Sequence, residues 1–470
     1  MLLAAVMGLQ SADSGVVGSV APQLESTFHI GTTQLGLLVT VSSVVGALAS
    51  LPFGVLVDRR RRVPLLAAAV ATWALAMVAT GLSTSYLMLL VGRLGLGAVS
   101  AVSGPATASL AGDLFAPGER SRIYGVILTG DLLGAGAGLL VAGDIGAALT
   151  WRAAFLVLAV PSAALALALR RLPEPERGAQ TAAPADGRHQ AGADAALRAQ
   201  VRARPDVHPS DGVVVDDPAT VTGLRRATVY VLRIASNRAL IAASALGYFF
   251  LGGLRVFAIV FARGHWSLST GTVNLLLVVI GAGGVAGTVL GGRLADRLIG
   301  RGRPDGRLLV GGCAFIAAGV LFVPGLRSSD LAVSLPLLLV AAGCLSASNP
   351  ALDAARLDVV PSTLWGRAES VRGVARTLLE AAAPLLFGYV AALLGATGGV
   401  SAGAGAGGSG TSAGPASAQT AGALGLTFLV MLAPFAASGV VLLARRRAYL
   451  ADVAAADRSQ QRIDRDLAAR

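Results

Sequence analysis

The chain has 470 residues, 54% of them hydrophobic, a formal charge of +12 and a mean hydropathy of +0.70. Its apolar excess comes as runs of about 18–25 residues almost free of charge, each long enough to cross a roughly 30 Å hydrocarbon layer, which excludes an ordinary soluble domain. The basic excess does not point to nucleic acid: there is no lysine, all 38 basic residues are Arg, and nearly all of them fall in alternate loops.

In chain order, the apolar runs predict helices over 2–24, 34–57, 64–82, 86–112, 122–142 and 153–169, then over 239–262, 272–294, 308–325, 333–354, 369–395 and 422–444. The expected fold is an all-α membrane protein of twelve transmembrane helices, with bundles at 1–169 and 239–444. Arg collects in the loops Asp58–Val63 and Asp113–Arg122, in Arg170–Arg238, in Asp296–Arg307 and after Arg445. The intervening loops hold little beyond Arg152, Arg263 and Arg327. That asymmetry predicts a bacterial-type inner-membrane protein with both termini cytoplasmic, its arginines meeting membrane lipids.

Three segments read as soluble. The linker 170–238, and Pro173–Pro218 in particular, is rich in Ala, Arg, Asp and Pro without a helical apolar stripe, and reads as partly disordered. Residues 396–421 carry a Gly/Ser/Ala tract expected to form a flexible external loop. The tail 445–470 mixes Arg, Asp and Gln and reads as lying on the membrane surface. The first apolar run lacks the basic flank and cleavage pattern of a signal peptide. Apolar sequence from Met1 onward suggests a short missing leader or a different start.

Several functions are disfavoured. Without lysine there is no P-loop, and His29, His189, His208 and His265 are scattered without metal spacing. No G-x-S-x-G motif occurs, so no enzyme site, metal or cofactor is expected. Cys313 and Cys344 read as buried thiols.

An internal echo is the most informative feature. GVLVDRRRR (Gly54–Arg62) follows the second span, and GGRLADRLIGR (Gly291–Arg301) follows the eighth. Both contain G-x-L-x-D-R and further Arg at equivalent places in the two halves, as parallel repeats require. The pattern resembles the signature loop of the major facilitator superfamily. The stretches PQLESTF, QLGLLVTV, RLGLGAVSA, GDLFAPGERSR and PEPERG make the first half similar to its spinster-like branch. The resemblance implies two pseudo-symmetric six-helix bundles, a monomer, and gating at Asp58, Arg59, Arg62, Glu119, Asp296, Arg297, Arg372 and Arg376. Asp58 would pair with the start of the eleventh helix, near Arg372 and Arg376. Arg59 and Arg62 would meet Glu119 or lipid headgroups.

Charges inside spans are the remaining candidates, because each is costly in hydrocarbon unless paired or hydrated. They are Asp13 in the first span, Arg93 in the fourth, Asp131 in the fifth, Arg255 in the seventh and Glu380 in the eleventh. The alternative for each is a fixed interhelical pair. Burial disfavours a charged Asp13 and an approaching Arg93 favours it, so conformation can govern its protonation. The resemblance supports an Asp at this place, but implies an Arg and an acid where this chain has Ser14 and Ser100. The expected function is secondary transport by alternating access, linked to protons and moving an amphipathic solute such as a lysophospholipid. A drug-proton antiporter is the runner-up, and a non-transporting scaffold or sensor the rival from another class.

Overall fold

A computed structural model describes residues 1–30, 32–177, 193–210, 212–215, 223–395 and 418–468, and among these all regular structure is helical. The expected first span is two helices, α1 (Leu2–Ser19) and α2 (Ala21–Phe28), with Pro22 in the first turn of α2, where its ring stops the preceding helix from running on. Next come α3 (Thr32–Arg59) and α4 (Arg62–Gly81). The fourth span is divided into α5 (Tyr86–Ser100) and α6 (Ser103–Leu114), with Pro105 just past the break. α7 (Pro117–Ala148) and α8 (Trp151–Leu169) complete the first set. The linker holds α9 (Ala193–Arg202) and α10 (Leu224–Arg233). The second set is α11 (Ala235–Trp266), α12 (Thr270–Gly300), α13 (Gly306–Arg327), α14 (Leu331–Val359), α15 (Trp365–Leu393) and α16 (Ala418–Ala444), and α17 (Arg446–Ala468) follows.

Ten of the described helical stretches are long and apolar enough to cross a membrane, and α1 and α7 stand at the other two expected places. Local chemistry starts several helices. Ser85, Thr150, Ser269 and Asp330 each accept a hydrogen bond from the backbone N–H of Met88, Ala153, Thr272 and Ala332 respectively, as N-caps do.

Contacts divide the chain into two compact units, and the division departs from the expected bundle boundaries. The first is built on Met1–Ala108 and Ile127–Glu174; the second takes Ser109–Val126 together with the described residues from Pro175 onward. Inside the first unit, Gly130, Gly134 and Gly138 of α7 meet the carbonyls of Ala4, Gly8 and Ala12 of α1, four residues apart on both helices. A Cβ on Gly134 would stand 1.9 Å from the Gly8 oxygen, so no other residue allows this approach. Inside the second unit, Gly283, Gly287 and Gly291 of α12 meet Leu339, Gly343 and Ala347 of α14 in the same way. Phe250 anchors an aromatic core there with Phe322, Phe387, Phe428 and Phe435.

The linker and tail differ from expectation. α9 is a helix with a narrow apolar stripe, Leu197 and Val201, both buried. Its Arg198 and Arg202 pair with Asp457 of α17 at 3.0 and 2.7 Å. α17 does not leave an apolar face for the membrane surface, because Tyr449, Leu450, Val453 and Ala456 are buried. Its Asp452 accepts from the Ser210 hydroxyl at 2.7 Å and from the Ser236 N–H that starts α11 at 2.9 Å. Ser459 accepts from the Val215 N–H at 3.0 Å, and Gln460 from the Ser362 hydroxyl at 2.9 Å. The tail is therefore part of the second unit. Cys313 is exposed and Cys344 half-buried, not the buried thiols expected, because both sit off the packed faces of their helices. The Gly/Ser tract within 396–417 lies outside the described residues.

Candidate functional site

Three of the mechanistic candidates converge on α1 in the first unit. Arg93 of α5 donates through Nη1 to Asp13 at 2.7 Å, and both side chains are almost wholly buried. Ser42 donates to the Arg93 carbonyl at 3.0 Å and ties α3 to the same point. Two residues earlier on α1, the Ser11 hydroxyl donates to the Asp131 carboxylate of α7. Two buried polar atoms, Arg93 Nε and Gln10 Oε1, have no hydrogen-bond partner among the described residues. A cavity of about 10 Å³ beside Gln10, Ser100 and Ser103 is at the lower limit for one water molecule. Arg255 of α11 and Glu380 of α15 pair with one another at 2.7 Å in the second unit, with the Arg half exposed.

Asp58 is buried in the last turn of α3, and Arg59 is exposed. Arg62 pairs with Glu174 at 3.0 Å, and Glu119 pairs with Arg122 at 3.4 Å on the surface. Glu174 also accepts from the N–H groups of Arg62 and Val63 at 2.9 and 2.7 Å, capping α4 from more than a hundred residues away. Its burial pushes the carboxyl upward, but these hydrogen bonds and the guanidinium outweigh that and hold it below its ordinary value. α15 begins at Trp365, so Arg372 and Arg376 lie two and three turns inside it and not at its start. Arg376 stacks over the Tyr248 ring at 4.3 Å. Arg297 is exposed and forms no ion pair among the described residues.

Two neutral clusters of buried charge occupy one end of the second unit. In one, Arg307 of α13 pairs with Asp358 of α14, lies 3.7 Å from Asp296, and donates to the Ser121 hydroxyl at 3.0 Å. Asp296 accepts from the N–H groups of Ser121 and Arg122 at 3.3 and 2.7 Å. Arg120 stands 3.9 Å from Asp358, donates to the Gly112 carbonyl at 2.6 Å and lies 4.9 Å over the Trp365 ring. Tyr449 of α17 donates to Asp358 at 2.5 Å. Burial and that carboxylate hold its phenol far above its ordinary value, so it remains a donor. In the other cluster, Glu369 binds Arg356 and, at 2.7 Å, Arg372, which also reaches Asp353 at 3.2 Å and the Ser244 hydroxyl at 3.0 Å. Such ions persist in the interior only because each has a partner.

A family profile described as Major Facilitator Superfamily matches residues 3–384. The chain belongs to this superfamily. Solved superfamily structures share its fold. A bacterial homolog of the human lysosomal transporter Spinster, in an inward-facing unoccupied conformation, is 18% identical, with a TM-score of 0.58 over 96% of this chain and 97% of that one. The same homolog in its occupied conformation is also 18% identical, with a TM-score of 0.52 over 95% and 94%. The E. coli fucose:proton symporter FucP is 13% identical, with a TM-score of 0.64 over 94% and 97%. Identities this low establish the fold alone. Superfamily membership makes the chain a multi-pass membrane transporter.

Within that superfamily frame, sequence reasoning missed Arg120, Arg307, Asp353, Arg356, Asp358, Trp365, Glu369 and Tyr449. A signal was present for three: Asp353, Arg356 and Asp358 recur at close spacing on the last turns of one helix, and all are buried.

Proposed function

We propose that the chain is a proton-linked secondary transporter of a single-chain anionic amphipath such as a lysophospholipid, working by alternating access. One observation carries this: a buried, directly paired Asp13 and Arg93 in which Arg93 Nε still lacks an acceptor among the described residues. A proton arriving at Asp13 neutralises it and frees the Arg93 guanidinium for a phosphate headgroup, which a planar fork binds through paired hydrogen bonds. Loss of the proton from Asp13 and release of the headgroup restore the pair. Ser100 stands where the spinster-like resemblance implies an acid, so Asp13 carries the exchange with fewer neighbours to share it. Asp131 and the Arg255–Glu380 pair are the further proton and headgroup candidates. Aromatic residues make up only 5% of the chain, a poor supply of stacking platforms for a sugar. A membrane potential of 100 mV is worth about 2.3 kcal/mol per charge, or roughly a fifty-fold solute gradient per proton.

The gating part of the proposal places the latch at the signature loops, with Asp58 and Asp296 as helix-end carboxylates and Arg59, Arg62, Arg297, Arg372 and Arg376 as the basic partners. The positive-inside pattern orients both termini to the cytoplasm.

The test is flux of fluorescent lysophosphatidylglycerol into proteoliposomes across a range of pH. Wild type is expected to show pH-dependent flux, and Asp13→Asn to lose that dependence while solute affinity stays within about tenfold, or 1.4 kcal/mol. A wild-type pH profile in Asp13→Asn would remove Asp13 from coupling. Flux of ethidium without flux of the lysolipid would favour drug-proton antiport, and flux of neither would favour a scaffold.

A further inference from the structure

We propose that the groove between α4 and α8 is a binding site for a two-chain anionic phospholipid of the surrounding bilayer, held by Arg61 and Arg170. The groove has a volume of about 790 Å³, within the range of sites that hold small ligands. Its floor is made of alanines contributed by both helices, among them Ala67, Ala71, Ala163 and Ala166. Small side chains on two adjacent helices leave an open apolar channel between them. Leu75 and Leu167 on its walls are 69% and 62% exposed, so no part of the described chain covers it. Both helices are long and apolar enough to span, which places this face in hydrocarbon.

The mouth selects the headgroup. Arg61 is the N-cap of α4 and Arg170 the C-cap of α8, and both line the groove at the same end. Both are exposed, and neither forms an ion pair among the described residues. One acid lines the mouth, Glu174, and it is committed to Arg62 and to two backbone N–H groups of α4. Two cations are thus left uncompensated at the depth of a phosphate layer, above an apolar channel. Each basic residue near a membrane surface is worth about 1 kcal/mol toward an anionic headgroup, so two should favour an anionic lipid by tenfold or more over a zwitterionic one. A resident bilayer lipid fits better than soluble phosphate, which would leave the channel wet.

The full chain in mild detergent, incubated with equal amounts of dioleoyl phosphatidylglycerol and dioleoyl phosphatidylcholine, provides the test by native mass spectrometry. Wild type is expected to retain phosphatidylglycerol preferentially. The double variant R61Q/R170Q is expected to lose that preference about tenfold, while Arg171→Gln, which lies outside the groove, keeps it. Ala163→Phe, on an exposed position of the channel, is expected to lower retention of both lipids. These side chains face outward, so the variants keep the fold, and unchanged elution from a sizing column confirms it. Undiminished preference in R61Q/R170Q overturns the proposal. So does an equal loss in Arg171→Gln, which would mean diffuse surface charge, or full retention in Ala163→Phe.

Discussion

Arg307 touches Asp358, Asp296 and Ser121 while fully buried, so its loss would take from two buried carboxylates the cation they share. Removing one partner of a buried ion pair costs about 3–5 kcal/mol, because the survivor keeps its desolvation penalty. Arg307→Met is therefore expected to lower the thermal unfolding temperature in detergent sharply, whereas Arg226→Gln on the exposed face of α10 leaves it unchanged. Glu174 makes a prediction with a sign. Its carboxyl is held below the ordinary value of 4.5 in the folded state, so it stabilises the fold above that value and the stabilisation fades as pH falls through the folded value. The difference in unfolding temperature between wild type and Glu174→Gln should be present near neutral pH, begin to shrink below about 4.5 and vanish once pH is below the folded value. Asp13 and Arg93 were legible in the sequence because each is a lone charge deep in an apolar run. Arg307, Glu369 and Asp358 were not, since a charge at the edge of a span ordinarily marks topology.

Among the elements, α1 and α7 pack through backbone oxygens against glycine Cα atoms, leaving no slack. Gly134→Leu must push the two helices apart, with a Cβ at 1.9 Å from the Gly8 oxygen as the least of its clashes. Gly136 has nothing within 4 Å of the same added atom. The expected outcome is a loss of folded protein for Gly134→Leu, or a cost above the roughly 1–3 kcal/mol of ordinary overpacking, and near wild-type yield for Gly136→Leu, read from monodisperse material after detergent extraction. The run of small residues was visible in the sequence, but not which of its glycines face a neighbour. α9 was missed because its large apolar side chains are only two, Leu197 and Val201, too few to stand out from a charged, Ala-rich linker. α17 was read as polar because its buried side chains include Asp452 and Ser459, whose partners lie on distant segments.

At the scale of the molecule, the repeat of G-x-L-x-D-R and the count of apolar runs carried the fold, and the superfamily match agrees with both. What they did not carry is the allegiance of Ser109–Val126. It lies within the expected first bundle, yet Ser121 and Arg122 are bound by Asp296, and Gly112 lies against Trp365. Long-range pairing of this sort leaves no periodicity to read. Topology is testable directly. With Cys313 and Cys344 replaced by Ala, a cysteine at the exposed Ala203 should react with an impermeant maleimide only after cells are opened. Labelling on intact cells would reverse the orientation.

The docking of α17 also sets an order of biosynthesis. The helix follows α16, so it is synthesised after α1 to α16. Until then Asp358 has no Tyr449, the Ser236 N–H has no Asp452 and the Ser362 hydroxyl has no Gln460. The second unit is left with polar groups it cannot satisfy while it is still being threaded. A chain halted at Ala444 would lack every partner that α17 supplies to the second unit.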